Sequence, residues 1–309
     1  MISGVINLYK EKGYTSHDVV AKLRGILRQK KIGHTGTLDP EAQGVLPVCL
    51  GAGTKLCDML TDTGKTYEAV MLLGQVTDTQ DTTGKVLESR AVSVDADQVR
   101  SCLASFVGAY DQIPPMYSAL KVQGKKLYEL ARAGIEVERK PRPVQIHGIE
   151  ILRMELPEVT FSVDCSKGTY IRTLCHDAGE KLGCGGCMKS LIRTRSGMFR
   201  MEDSLRLDEI EQLQRQGRIL EAVYPVDTMF PRAPKVLVRP EFGRLLLNGN
   251  PLKSSQLLDL KEETPGPVRV YLTPERFCGL YRLDGKKHLW VPEKMFLEID
   301  GNGSISGNN

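Results

Sequence analysis

The stretch Gly33-His34-Thr35-Gly36-Thr37-Leu38-Asp39-Pro40 sets a lone carboxylate beside a histidine and two glycines, just after a basic run. A carboxylate in such a loop has two readings. Asp39-Pro40-Glu41-Ala42 has the form of a helix start, with Asp as the N-cap, Pro at the first helical position and Glu in the first turn. Alternatively, Gly33, Gly36 and Gly44 permit close approach of a ligand, and Asp39 is a reacting group. On the residues alone capping comes first, and the two roles are compatible.

The surrounding elements follow from periodicity. Gly4–Tyr9 reads as a strand, and Val19, Val20, Leu23, Ile26 and Leu27 keep helical spacing behind Thr15 or Ser16 as N-cap. Val45–Leu50 reads as a buried strand and Lys65–Gly74 as an alternating one. TDTQDTTGKV reads as a surface loop. Helices are expected over 95–107, 127–133 and 169–182, a strand hairpin over 144–153 and 158–165, and extended chain around the paired prolines 114 and 115. The proline-rich stretch 223–240 predicts a domain boundary. Short strand-like runs follow it (VRVYL, FCGLYRL, HLWVP, MFLEI), as in a small all-β barrel, and GNGSISGNN reads as a disordered tail.

Composition excludes several classes. No window approaches the roughly 20 apolar residues of a membrane helix, and no signal peptide is evident at the N-terminus, so the expectation is a soluble, cytoplasmic protein. Eight cysteines without a secretion signal predict reduced, packed thiols. Cys184 and Cys187 have CxxC spacing but lack a second pair or histidines in register, so no metal is expected. The net charge of +4 is modest, but basic residues cluster. Residues 19–38 hold five Lys or Arg and no acid, 121–153 hold eight against four acids, and 165–200 hold seven against two. Each cluster alone is an ordinary solvated face; together they favour a polyanion.

Five stretches in one order resemble a known family: GHTGTLDPEAQGVLPVCLGAGTK, KTYEAVMLLG, QIPPMYSALKVQGKKLYELARAGIEVERKPRPV, SKGTYIRTLCHDAGEKLG and SLIRTRSG. It is the TruB family of tRNA pseudouridine synthases, and the likeness runs from about Gly4 to Gly197. The resemblance implies an α+β fold with a mixed, largely antiparallel central sheet over residues 1–230. It implies an RNA-gripping insertion at about 117–147 and a small all-β PUA-like domain over 231–300, leaving 301–309 as the tail. It implies isomerisation of the T-loop uridine (position 55) of tRNA after base flipping, by a monomer, with no cofactor and no protein partner.

The resemblance also assigns residues. Asp39 is the catalytic carboxylate, Tyr67 stacks on the base and is placed for proton transfer, and Arg172 pairs with the carboxylate. His34 enters the T loop, Tyr170 contacts substrate, Leu191 walls the pocket, and Lys10 of the first motif is a substrate-contact candidate. The family begins that motif K-P-x-G-x-T-S, whereas this chain has Glu11 in place of the proline. Two other readings stand beside the isomerase. One is a non-catalytic tRNA-binding or RNA-chaperone protein of the same fold. The other is a glycosidic-bond hydrolase, which would want two carboxylates flanking the bond.

Overall fold

The computed structural model describes residues 1–122, 124–260 and 264–297. The expected disordered tail, 301–309, and the end of the MFLEI run lie outside the described residues.

Two sheets organise the chain. The larger has its main strands in the order Val223–Tyr224, Gly4–Lys10, Gln43–Leu50, Gly186–Ser196, Lys65–Leu73, Glu158–Cys165, Arg142–Glu155 and Gly108–Gln112. Every neighbour along it is antiparallel except Gln43–Leu50 against Gly186–Ser196, where Ile192 faces Gln43 and Arg193 faces Gly44. This is the mixed, largely antiparallel sheet expected of an α+β chain. Gly44, at φ +105°, is required at the parallel junction. A Cβ there would stand 2.2 Å from the Arg193 carbonyl oxygen, so the strands meet backbone to backbone.

Alternation explains the layers. Lys65, Tyr67, Ala69, Met71 and Leu73 are buried while the residues between them are half-buried, so one face of that strand is inward. The helices Ala96–Ala104 and Ile171–Lys181 cover this face through Val99, Leu103, Ile171, Leu174 and Ala178. The Gln43–Leu50 strand is instead buried almost throughout, as its near-continuous apolar run predicts. Its Leu46, Val48 and Leu50 pack with the helices Ser16–Leu27 and Leu207–Arg215, whereas Val45 and Cys49 join a cluster with Leu280 and Phe296.

The second sheet orders Leu257–Leu258, Lys235–Val238, Pro267–Thr273, Arg276–Asp284 and Leu289–Met295, all antiparallel but for the second and third. This is the PUA-like unit. It also carries one short helix, Gly243–Leu247. Among the described residues no helix is long and apolar enough to cross a membrane.

Candidate active site

Asp39 is not a helix cap. Residues 39–42 make a turn closed by the Ala42 N–H on the Asp39 carbonyl at 3.1 Å, and the chain runs directly into the strand at Gln43. The capping reading fails because this strand recruits the residues that a helix would need. The loop is held from several sides. Ser16 Oγ accepts from the Leu38 N–H at 3.0 Å and donates to the Leu38 carbonyl at 3.3 Å. Thr35 is tied to the Pro47 carbonyl, and the Gly13 N–H donates to the Pro40 carbonyl.

Lys10 is turned into the protein. It has no exposed surface, and its Nζ donates to the carbonyls of Glu11 (3.1 Å), Tyr14 (2.6 Å) and Pro40 (3.1 Å). All three protons of the ammonium are thereby spent on main chain. Burial lowers its pKa to about 8, partly offset by Asp39 and Glu41. Lys10 therefore ties the loop together through main-chain carbonyls on three residues.

Arg172 meets Asp39 as the resemblance implies. Its Nε lies 3.0 Å from Asp39 Oδ2 and its Nη2 donates to Oδ1 at 3.4 Å, a two-toothed grip. The Arg172 side chain is 6% exposed and that of Asp39 38%, so the carboxylate is partly open and the guanidinium is buried behind it. Arg172 also donates to the carbonyls of Thr79 (3.1 Å) and Tyr117 (2.8 Å), and Asp81 Oδ2 stands 3.7 Å from its Nη1. Pairing along its own helix with Asp177 does not occur; Asp177 accepts from the Tyr110 hydroxyl. Burial raises the Asp39 pKa above the ordinary carboxylate value; Arg172 and Lys10 oppose the rise and Asp81 adds to it.

Asp81 was not visible in the sequence. The TDTQDTTG segment is not simply a surface loop: Gln75–Thr77 and Val86–Ser89 pair as a hairpin, and Thr77 is buried. The turn between them brings Asp81 to Arg172. Asp81 Oδ1 accepts from Thr79 Oγ1 (2.8 Å), the Thr83 N–H (3.0 Å) and Thr83 Oγ1 (2.5 Å). That threonine and aspartate density reads as turn chemistry in sequence, and only tertiary contact shows its target.

Tyr67 lies in the inward row of its strand, with Leu38 and Leu191 in the same apolar cluster. Its cross-strand partner is Arg193, a second residue that sequence reading missed. Arg193 is 1% exposed, and its Nε and Nη2 donate to the carbonyls of Val45 (2.6 Å) and Gly36 (3.3 Å). Strand alternation was the available signal, since 191 and 193 share a face. Burial raises the Tyr67 pKa and the Arg193 guanidinium beside its hydroxyl opposes the rise.

His34 is half-buried, and its Nδ1 accepts from the Gly36 N–H at 3.3 Å. Burial, aided by His17 and Arg193, lowers its pKa to about 4, so the ring is uncharged at neutral pH. The edge of one imidazole meets the face of the other between His17 and His34, with centroids 5.5 Å apart. Tyr170 caps the Arg172 helix, and its main chain is bonded twice to Gln112. Cys184 and Cys187 are buried free thiols. Among the described residues no group of three or more His, Cys, Asp or Glu could hold a metal ion.

Comparison with known proteins gives the lineage. The TruB family pseudouridylate synthase N-terminal domain matches residues 24–171, and the tRNA pseudouridylate synthase B C-terminal domain matches 172–230. tRNA pseudouridine synthase B of Lachnoclostridium phytofermentans is 54% identical, over 96% of this chain and 100% of that protein. Its counterpart in Alkaliphilus oremlandii is 47% identical over 93% and 95%. A Cbf5–Nop10–Gar1 complex contains a chain that is 29% identical, with TM-score 0.70, over 96% of this chain and 85% of that one. A chain of an H/ACA RNP bound to a substrate RNA containing 2'-deoxyuridine is 27% identical, with TM-score 0.69, over 96% and 86%. This chain belongs to the TruB family of tRNA pseudouridine synthases.

Proposed function

We propose that this chain isomerises one uridine of the tRNA T stem-loop, at position 55, to pseudouridine, acting as a monomer in the cytoplasm. The observation that carries the reading is the Asp39–Arg172 grip, with a buried cation holding a partly open carboxylate. The reaction breaks the bond from the sugar C1′ to uracil N1, turns the ring, and joins C1′ to C5. The proton lost from C5 balances the one gained at N1, so no oxidant, reductant or co-substrate is needed. Attack on the sugar, attack on the ring and elimination at the sugar each begin from an ionised carboxylate. Arg172 favours that form against the desolvation of the site.

The other residues fit a flipped base. A loop base is extruded at a cost of a few kcal/mol, and stacking on Tyr67 returns about 1–3 kcal/mol while tolerating rotation of the ring. Leu38 and Leu191 would wall the ring. An uncharged His34 enters the vacated stack without a counterion. The Lys and Arg residues of the insertion at about 117–147 would meet phosphates, so binding weakens as salt rises.

The deciding experiment uses unmodified tRNA transcripts with and without the T-loop uridine, followed by mass and position mapping of the nucleosides. Asp39→Asn should abolish product while tRNA affinity stays within about three-fold, the signature of a group that acts in the transition state. Product from Asp39→Asn at the parent rate would remove the assignment, and free uracil would mark a hydrolase. A chelator should leave activity unchanged.

A further inference from the structure

The insertion leaves the large sheet after Gln112 and rejoins it at Arg142, and these two residues face each other across the ladder. Gln112 is 1% exposed. Its Nε2 donates to the Tyr170 carbonyl at 2.9 Å, and its Oε1 accepts from the Tyr170 N–H at 2.7 Å. Both halves of the amide are used, which fixes its orientation. Tyr170 is the N-cap of the helix that presents Arg172, and no side chain caps that helix from within. Two residues back on the same face of the strand, Tyr110 donates to Asp177 farther along the helix. The strand at the insertion's root is thus bonded to the Arg172 helix at two heights. A third bond comes from inside the insertion, where the Tyr117 carbonyl accepts from Arg172.

A buried polar side chain that grips both main-chain groups of a remote residue restrains φ and ψ there. Tyr170 is two residues from a guanidinium whose grip on Asp39 depends on placement. We propose that Gln112 is a positioning residue whose amide sets the main chain of Tyr170, and through it the reach of Arg172 to Asp39. The root of the insertion and the reacting carboxylate then form one mechanical unit. RNA held by the insertion is thereby held in register with Asp39. The inference rests on the reading of Asp39 given above.

The test compares Gln112→Met, which keeps the length and loses both hydrogen bonds, with Gln112→Glu. Three quantities are measured: single-turnover rate against pH on a tRNA transcript, tRNA affinity, and the carbon-13 NMR titration of the Asp39 carboxyl in unliganded protein. Asp39 is faced by Arg172, Asp81 and Lys10, with Tyr67 and Tyr170 nearby. Loosening Arg172 removes the main influence opposing the rise in its pKa. Gln112→Met should therefore move the Asp39 titration and the acid limb of the rate to higher pH. Its rate should fall on the order of ten- to a hundred-fold, as for a small misplacement of reacting groups, with tRNA affinity within about three-fold.

Gln112→Glu can still donate to the Tyr170 carbonyl while protonated, so its deficit relative to the parent should grow with pH. That dependence carries the decision if Gln112→Met does not fold. A folded Gln112→Met with parental rate and parental Asp39 titration overturns the inference, and so does a lowered melting temperature with neither altered. If the parent protein made no pseudouridine, the functional reading would fall, while the NMR titration would still decide the role of Gln112.

Discussion

Asp39 and Arg172 reach the same point from differently built supports. The carboxylate rides an irregular loop whose holds come mostly from nearby sequence, including Lys10 on Pro40, Ser16 on Leu38 and Thr35 on Pro47. The guanidinium rides the first turn of a helix, and its holds cross the molecule to Thr79, Tyr117 and, through Tyr170, Gln112. One device recurs on both sides. A buried polar side chain, Ser16 or Gln112, takes both the N–H and the carbonyl of a residue one or two positions before the charged one. The loop's holds thus come largely from the strands Gly4–Lys10 and Gln43–Leu50 and the helix Ser16–Leu27, with Arg193 added from across the sheet, whereas the helix is held by partners spread over the whole sheet.

Substitutions can break this contrast. After the loss of product expected of Asp39→Asn, Arg172→Met should have the largest effect. Removing one partner of a buried ion pair costs about 3–5 kcal/mol at the fully buried limit, and the open side of Asp39 reduces that. A rate loss on the order of a hundred-fold is expected, with the acid limb of kcat moved to higher pH because Asp39 loses the cation that favours its charge. Asp81→Asn should cost about ten-fold and move the limb the other way, since Asp81 raises the Asp39 pKa. Shifts of the same sign in both variants, read from pH–rate profiles, would separate Asp81 from the Arg172 network.

Ser16→Ala tests the local side. It leaves the buried main chain of Leu38 without its partner, which costs about 1–3 kcal/mol, measurable as a lowered urea midpoint at constant slope. Glu11→Ala should be the smallest. Glu11 stands where the family's first motif has proline and pairs with Arg206 at 2.5 Å, with side chains 42% and 52% exposed. An exposed pair of this kind contributes about 0–1 kcal/mol, so urea unfolding and turnover should hardly change. A large loss would show that the pair replaces the rigidity of a proline ring.

What sequence made legible follows the same division. Strands with clean alternation, such as Lys65–Leu73, and helices with a cap, such as Ser16–Leu27 behind Thr15, were readable because the cause is local. Asp39, Tyr67 and Arg172 were singled out by motif. Residue physics alone put Asp39 first as a helix cap, which the turn at 39–42 rules out. Asp81, Arg193 and Gln112 were missed. Each is polar, buried or nearly so, and bonded to chain far away in sequence. No period or composition marks such a residue, since its environment exists only after folding. Lys10 belongs with them, since the three carbonyls that take up its ammonium are brought together only by folding.

Gly44 has one further consequence. The strand it opens continues directly from the Asp39 turn, and the neighbouring chain that it touches carries Leu191 and Arg193. The spacing between the carboxylate's loop and the aromatic wall is thus gauged by two bare backbones pressed together, at a spot where even one methyl group would act as a wedge. An alanine there would prise open the seam that spaces the Asp39 loop from the strand of Leu191 and Arg193.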